Sequence, residues 1–316
     1  MSIVCVENLV KTYNKGRVRA LRGVSFDVDK GEIFGIIGPD GAGKTSLFRI
    51  LTTLLLADSG KAIVDGFDVV KDYKKIRQHI GYMPGRFSLY QDMTVEENMQ
   101  FFATVFKTTI QENYHLVKDI YQQIEPFKKR RAGKLSGGMK QKLALSCALI
   151  HAPHVLFLDE PTTGVDPVSR KEFWEMLQRL KKNFGLSIIV STPYMDEAVQ
   201  CDRIALIQDG NFMTIDTPQG IVDSYDEELW AVRSDKMHLL LTDLRKIDGV
   251  LRNTSRILQS VLSRSRKLQC MCPIMWQYAY PAILIPMNLF LLLRSTLVTG
   301  NPIRQFPSSS MSLRLL

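Results

Sequence analysis

The segment Gly38–Thr45, which reads GPDGAGKT, constrains the fold of this 316-residue chain more than any other feature. It follows the short apolar run Ile33–Ile37, typical of a buried strand, and it leads into Lys44–Leu56, whose apolar residues have helical spacing. A glycine-rich turn between a strand and a helix directs backbone N–H groups into one concavity, and the helix N-terminus adds positive potential. The sequence therefore predicts a phosphate-binding loop within an α/β fold.

The side chains of this loop are suited to a nucleotide with Mg²⁺. Lys44 can reach the β- and γ-phosphates, and the hydroxyl group of Thr45 is a suitable ligand for Mg²⁺. The alternative is a glycine-rich loop that only turns the chain, and the strand before it and the helix after it argue against that alternative. The predicted phosphate-binding residues are Gly38, Pro39, Asp40, Gly41, Ala42, Gly43, Lys44, Thr45 and Ser46.

An acidic pair follows a second apolar run, at Asp159 and Glu160. The run Val155–Leu158 has the character of a buried strand, and ligands of α/β proteins bind at the carboxyl ends of such strands. We expect Asp159 to hold Mg²⁺ and Glu160 to act as the general base on an attacking water. The alternative is an ordinary strand that ends in an exposed acidic turn, and the upstream phosphate loop favours the catalytic interpretation.

The order of the segments predicts a mostly parallel sheet. Val155–Leu158 and Ser187–Val190 are short apolar runs, and each precedes a turn and a segment with helical character. Strands that are apolar on both faces and alternate with helices are typical of buried parallel sheets. Residues 93–150 show little strand character, so we predict a helical insertion there.

A second candidate anion site lies at Leu135, Ser136, Gly137, Gly138 and Met139, immediately before the predicted helix Lys140–Leu149. A serine and two glycines at the start of a helix leave backbone N–H groups free to bind an anion. A plain phosphate-loop enzyme needs one such helix terminus, and this chain has two.

Together these motifs resemble the ABC ATPases, over roughly residues 2–235. Within that family the likeness is to ATP-binding subunits of drug and antibiotic exporters, including the first half of bacterial YbhF-like proteins. It is carried by Gly81–Pro84, Leu89–Asn98 and Lys134–Lys142. The resemblance implies an α/β, P-loop NTPase core of ABC type, with a mostly parallel sheet, an N-terminal antiparallel β part and a helical insertion.

The resemblance also implies roles for particular residues. In this family two ATPase domains pair head to tail, so Leu135–Met139 would be the signature that closes over ATP held by the partner domain. Asp166 would lie in the D-loop, and the ring of Tyr13 would stack on adenine, although a lone tyrosine near an N-terminal strand is more often a core residue. Met139 stands where many members have Gln.

The partners implied by the resemblance are a second ATPase domain, in a homodimer or a heterodimer, and a separate transmembrane permease. The cofactors would be ATP and Mg²⁺, and the chain would lie peripherally on the cytoplasmic face of the membrane. Two alternatives remain open. One is a low-turnover regulatory nucleotide-binding module, and the other is a soluble ABC-type ATPase that is not tied to transport.

Two departures from the family pattern bear on turnover. Gly85 stands where the family usually has Gln, and Pro193 stands where it usually has His. Proline has neither a side-chain donor nor a backbone N–H. Loss of one donor aimed at developing charge can reduce a rate by about 10²–10³-fold, so we expect ATP binding to be more secure than rapid hydrolysis.

Charge is concentrated in the C-terminal part of the chain. The net charge is +9, and residues 251–316 account for +8 of it because they contain no Asp or Glu. The nearly neutral remainder argues against nucleic-acid binding. We predict an ATPase domain at 1–235, a C-terminal appendage at 236–250 and an atypical basic tail at 251–316. The tail would be a membrane anchor that includes the uncharged run Cys270–Leu293, a regulatory or disordered extension, or a non-native stretch from a reading-frame error.

The cysteines and histidines show no metal-binding pattern in the sequence. The five cysteines include no CxxC pair, which indicates reduced thiols. The histidines also lack ligand spacing, and the sequence predicts structural roles for His79, His115, His151 and His154.

Overall fold

The computed structural model describes residues 2–14, 16–224, 230–233 and 312–315. The chain divides into two compact units, residues 1–218 and 219–316. The predicted domain boundaries at 235 and 250 and the apolar run Cys270–Leu293 lie outside the described residues, so they stay predictions.

An antiparallel sheet of four strands forms from the N-terminal part of the chain, with the order β2-β1-β4-β5. Alternate apolar residues of β2, such as Val24, Phe26 and Val28, are buried, as expected for a sheet with one face on the core. This confirms the predicted N-terminal antiparallel part. Its strands are β1 Ser2–Tyr13, β2 Val18–Asp29, β4 Ser59–Val64 and β5 Phe67–Asp68.

The second sheet has six strands in the order β10-β9-β3-β8-β7-β6, and its neighbours are parallel except for the antiparallel pair β9 and β10. Every residue of β3, β7 and β8 is buried, which explains their continuous apolar runs and confirms the predicted mostly parallel sheet. The strands are β3 Ile33–Ile37, β6 Ile80–Met83, β7 Val155–Asp159, β8 Ser187–Thr192, β9 Arg203–Gln208 and β10 Asn211–Asp216.

Helix α1, Lys44–Leu51, is shorter than the predicted segment to Leu56. The hydroxyl of Thr52 donates to the Phe48 carbonyl at 2.8 Å, and Thr53 has a φ of 62°, which a continuing right-handed helix does not allow. The ring of Phe48 packs edge-on against Phe157 of β7, with centroids 5.9 Å apart. This contact holds α1 against β7 of the parallel sheet. Two further helices of the first unit are α2 Tyr73–His79 and α6 Pro167–Phe184, and α7 Pro218–Asp223 begins at the last residue of that unit and continues into the second.

The predicted helical insertion at 93–150 is also confirmed. Thr94 and Glu97 form a capping box at the start of α3, because each side chain accepts a hydrogen bond from the backbone N–H of the other. The insertion contains α3 Val95–Val105, α4 Tyr114–Tyr121, α5 Gly137–Leu149 and the 3₁₀ helices Glu125–Phe127 and Ala132–Lys134. A further 3₁₀ helix, Met195–Gln200, forms the segment of helical character that follows β8.

In the second unit, β11 Trp230–Arg233 pairs with β12 Ser312–Leu315 in an antiparallel register. In the part of the chain that the structure describes, we find no helix whose length and apolar character suit a membrane crossing.

Candidate functional site

The phosphate loop is built from glycines that allow close backbone approach. A Cβ atom at Gly38 would overlap the Ile207 carbonyl oxygen of β9, and a Cβ at Gly43 would overlap the Ala20 carbonyl oxygen of β2. Gly43 also has a φ of 108°, which side-chain-bearing residues rarely adopt. The Ala42 carbonyl accepts a hydrogen bond from the Gly210 N–H at 3.1 Å. The loop is therefore held at the carboxyl end of β3 with its N–H groups at the start of α1.

Lys44 is the cationic centre of the loop, although its side chain is only 3% exposed. Its Nζ donates to the carbonyls of Gly38 and Pro39 at 2.8 and 3.0 Å and lies 3.2 Å from Glu160 Oε1. Asp40 is more distant, at 3.9 Å. The structure therefore brings together the predicted phosphate-binding lysine and the predicted general base.

The acidic pair lies at the carboxyl end of β7. Asp159 is buried and accepts a hydrogen bond from the hydroxyl of Ser191 at 2.5 Å, because the two residues face each other in the β7–β8 register. Glu160 has a φ of 51°, and its backbone N–H bonds to the Ser191 carbonyl at 3.0 Å. Ser191 thus orients Asp159 and also anchors the turn at Glu160. The sequence analysis did not predict this role of Ser191. The sequence feature that could have indicated it is a polar residue at the end of an apolar strand.

The second predicted anion site forms the start of α5. Ser136 is its N-cap and accepts a hydrogen bond from the Met139 N–H at 3.4 Å, while Gly137 and Gly138 form its first turn. A Cβ at Gly138 would lie 2.8 Å from the hydroxyl oxygen of Ser169 in α6. The described contacts of this terminus are therefore with the α6 region, rather than with the phosphate loop of the same chain.

Asp166 occupies the N-cap of α6. Its side chain accepts a hydrogen bond from the Ser169 N–H at 3.0 Å, and this bond holds the pKa of the Asp166 carboxyl below its ordinary value. Helix capping accounts for an aspartate at this position, and the predicted D-loop role stays a prediction.

Tyr13, at the end of β1, lies beside α1. Its hydroxyl is 3.0 Å from the Ser46 hydroxyl, and Lys11 Nζ lies 5.8 Å from the ring centroid. The ring is half-buried rather than part of the core, and the structure brings it to the helix that carries the phosphate loop. The proposed stacking on adenine stays a prediction.

Asp58 fixes the end of β1 that carries Tyr13. One carboxylate oxygen accepts from Lys11 Nζ at 2.7 Å, and the other accepts from the Thr12 N–H at 2.6 Å and its hydroxyl at 2.7 Å. The bonds from Lys11 and Thr12 lower the pKa of Asp58 from 3.8 to about 2.

We expect Asp58→Asn to lower the free energy of unfolding at neutral pH. A carboxyl with a lowered folded-state pKa stabilises the protein above its unfolded-state pKa and loses that contribution as the pH falls through the folded-state value. The difference in free energy of unfolding between the variant and the parent should therefore shrink as the pH falls from about 4 to about 2. Urea unfolding across this range measures it, with the exposed Asp92→Asn as control. A difference that does not change with pH would contradict the assignment.

The two departures from the family pattern lie on either side of the acidic pair. Gly85 follows β6, and a Cβ there would lie 3.0 Å from the Asp159 carbonyl oxygen. Pro193 follows β8, whose last residue, Thr192, donates its hydroxyl to the buried Glu197 at 2.7 Å. Because β7 lies between β6 and β8, both positions flank the carboxylates.

Comparisons with known proteins agree with this architecture. Residues 21–163 match the family model described as ABC transporter. The chain is 39% identical over 222 residues to the probable multidrug ABC transporter ATP-binding protein YbhF of Escherichia coli strain K12. That alignment covers 70% of this chain and 38% of YbhF, so the chain spans well under half the length of this relative.

A second relative is covered more fully. The daunorubicin resistance ATP-binding protein DrrA2 of Streptomyces coeruleorubidus is 34% identical over 258 residues, which is 80% of this chain and 77% of DrrA2. Among solved structures, the post-hydrolysis dimer of the ATP-binding cassette MJ0796, bound to ADP and Pi, superposes with a TM-score of 0.61. It is 26% identical and covers 68% of this chain and 98% of that one. By sequence and by fold, the chain belongs to the ABC transporter family.

Proposed function

We propose that this chain is the ATP-binding and ATP-hydrolysing subunit of an ABC exporter, acting from the cytoplasmic face of the membrane. The observation that carries the proposal is the convergence of Lys44 and Glu160, 3.2 Å apart, where the phosphate loop meets the end of β7. A buried cation, a nest of backbone N–H groups and two carboxylates form the set that phosphoryl transfer to water needs.

ATP and Mg²⁺ fit the chemistry of this site. The N–H groups of the loop and Lys44 would bind the phosphates, while the Thr45 hydroxyl and Asp159 would hold Mg²⁺, which prefers oxygen ligands. Mg²⁺ supplies charge neutralisation on the phosphates when it is bound. Glu160 would accept a proton from the attacking water, and Ser191 keeps Asp159 oriented through the 2.5 Å hydrogen bond.

We further propose that two such ATPase domains close on ATP. The backbone N–H groups of Gly137 and Gly138, in the first turn of α5, have no hydrogen-bond acceptor among the described residues, so they are available to an anion held by another domain. The dimeric state of the solved MJ0796 cassette supports this arrangement by analogy. The second domain would come from another copy of this chain or from a different ATPase.

The permease would dock in an apolar groove between the helical insertion and the parallel sheet. The groove encloses a cavity of about 400 Å³, lined by residues that include Leu89, Phe102, Val105 and Phe106. Contiguous exposed apolar surface of this kind marks interaction sites. The names of YbhF and DrrA2 refer to drug transport or resistance, which supports an exporter and leaves the cargo open.

Co-purification with a membrane permease tests this function. Val105→Glu puts a charge into the groove at a residue that is 56% exposed, so we expect normal folding but loss of permease-stimulated ATP hydrolysis. Val70→Glu is the matched control, because Val70 is also 56% exposed but lies between β5 and α2. An ATPase that neither associates with a permease nor responds to Val105→Glu would be a soluble enzyme, contrary to the proposal.

Tyr13 gives a separate prediction about nucleotide affinity. If the ring stacks on adenine, Tyr13→Ala should weaken ATP binding by about 1–3 kcal/mol. Tyr13→Phe should retain most of the affinity, because it keeps the ring and loses only the contact with the Ser46 hydroxyl. Calorimetric titration with ATP and with GTP measures both variants. Equal losses for the Ala and Phe variants would indicate that the hydroxyl, rather than the ring, acts at this site.

A low-turnover module is the second candidate function, and Gly85 and Pro193 support it because both flank the carboxylates without offering a side-chain donor. In that case this chain binds ATP and hydrolyses it slowly in its own site, while its α5 terminus completes the site of a better-equipped partner. A purified homodimer that hydrolyses ATP at ordinary transporter rates would exclude this candidate.

A further inference from the structure

Asp65, His79 and His154 form a compact cluster outside the nucleotide site. The Oδ2 atom of Asp65 lies 2.6 Å from His79 Nδ1 and 2.8 Å from His154 Nδ1. The histidines are 14 and 89 positions from Asp65 in the sequence, which explains why spacing showed no pattern. The prediction that these two histidines have only structural roles therefore missed an arrangement that folding creates.

The cluster lies at the edge of the parallel sheet opposite to the nucleotide site. His79 immediately precedes β6 and His154 immediately precedes β7, and the His154 N–H donates to the His79 carbonyl at 2.8 Å. Asp65 forms the turn between β4 and β5 of the antiparallel sheet, where its φ is 52°. The three side chains therefore connect the two sheets.

Aromatic contacts surround the His79 ring. The His79 ring packs edge-on against Phe67 with centroids 5.2 Å apart, and the two imidazole rings are 4.8 Å apart. Although partial burial acts to raise it, the pKa of the Asp65 carboxyl is held below its ordinary value by hydrogen bonds from both histidines. The same Asp65 oxygen contacts both imidazole rings, so the three side chains converge on one point.

We propose that Asp65, His79 and His154 bind one divalent transition-metal ion, with Zn²⁺ as the best fit. One ligand atom from each residue lies within 4.8 Å of the other two. Two imidazole nitrogens and one carboxylate oxygen are a common zinc ligand set, with bonds of about 2.0–2.2 Å. The hydrogen-bonded atoms need only small outward shifts for an ion to replace the shared protons.

Access and stability both favour this assignment. The side chain of His154 is 59% exposed, which gives the ion a path from solvent and leaves a fourth coordination position for water. An ion bound to the folded chain alone stabilises it, because the ligands come together only on folding. The bound ion would join the β4–β5 turn to the first residues of β6 and β7.

Titration of the nucleotide-free full chain with Zn²⁺ and Co²⁺ tests the proposal. We expect one ion per chain to bind at the cluster, a rise of several degrees in unfolding temperature, and cobalt absorption without a thiolate charge-transfer band. His154→Gln and His79→Gln should each weaken the binding at least about 10-fold. Asp65→Asn should do the same while preserving the turn, since asparagine tolerates positive φ.

His115→Gln is the matched control, because His115 is an exposed histidine on α4, outside the cluster. It should leave the affinity unchanged. Equal Zn²⁺ affinity in the parent and in all three cluster variants, or the absence of saturable binding, would overturn the proposal. ATP binding by His154→Gln should match the parent, so failure of the metal site can be distinguished from failure of the nucleotide site.

Discussion

Glu160→Gln is expected to reduce ATP hydrolysis by about 10²–10⁴-fold, the range typical of general-base removal, without loss of ATP binding. The amide cannot accept the proton of the attacking water, and it also loses the charge that lies 3.2 Å from Lys44 Nζ. Because Lys44 is then released from its ion pair, ATP affinity should be equal to or higher than that of the parent. Steady-state phosphate release and calorimetric ATP titration measure the two effects.

Glu172→Gln is the control for this prediction. Glu172 lies on α6 and pairs with Lys142 at 2.8 Å, so its substitution removes an ion pair of similar length away from the phosphate loop. Its turnover should remain close to that of the parent. Undiminished hydrolysis by Glu160→Gln would show that another group activates the water.

Gly43→Ala is expected to abolish ATP binding and to destabilise the fold by at least about 3 kcal/mol, as steric strain at a special backbone position can do. The added Cβ would meet the Ala20 carbonyl in a backbone conformation with a φ of 108°. The overlap is relieved only if the loop moves away from β2, and this movement would displace the N–H groups at the start of α1. Urea unfolding and ATP titration measure the two losses.

Gly41→Ala separates the effect of the backbone conformation from the effect of the contact with Ala20. Gly41 has a φ of 81°, but a Cβ there meets no atom within 4 Å. The cost should be limited to the left-handed backbone conformation, about 1–2 kcal/mol, with weaker but measurable ATP binding. If Gly41→Ala and Gly43→Ala are equally damaging, the contact with Ala20 is not what requires glycine at position 43.

The strands near the site were the most predictable elements. Ile33–Ile37 matches β3 residue for residue, and the run at Val155–Leu158 extends by one residue into β7. Buried parallel strands are apolar on both faces, so their signal is local and strong. The loop between β3 and α1 was equally clear from its spacing of glycines and lysine, and the structure shows that close backbone contacts require glycine at Gly38 and Gly43.

Other features depend on contacts that local patterns do not record. Thr53 ends α1 through a positive φ, although the apolar spacing continues to Leu56. The pairing of Ser191 with Asp159 requires knowledge of the strand order, because β7 and β8 are joined through α6. The contact of Asp65 with His154 joins two sheets, and no periodicity within one element can indicate it.

The phosphate loop lies in contact with both sheets, and this position has a mechanical consequence. Its first glycine contacts β9 of the parallel sheet, and its last contacts β2 of the antiparallel sheet. A tilt of one sheet against the other would therefore shift the two ends of the loop in different directions and change the curvature of its backbone. We therefore expect ATP affinity to depend on the angle between the sheets, so that a force applied to the antiparallel sheet would alter nucleotide release.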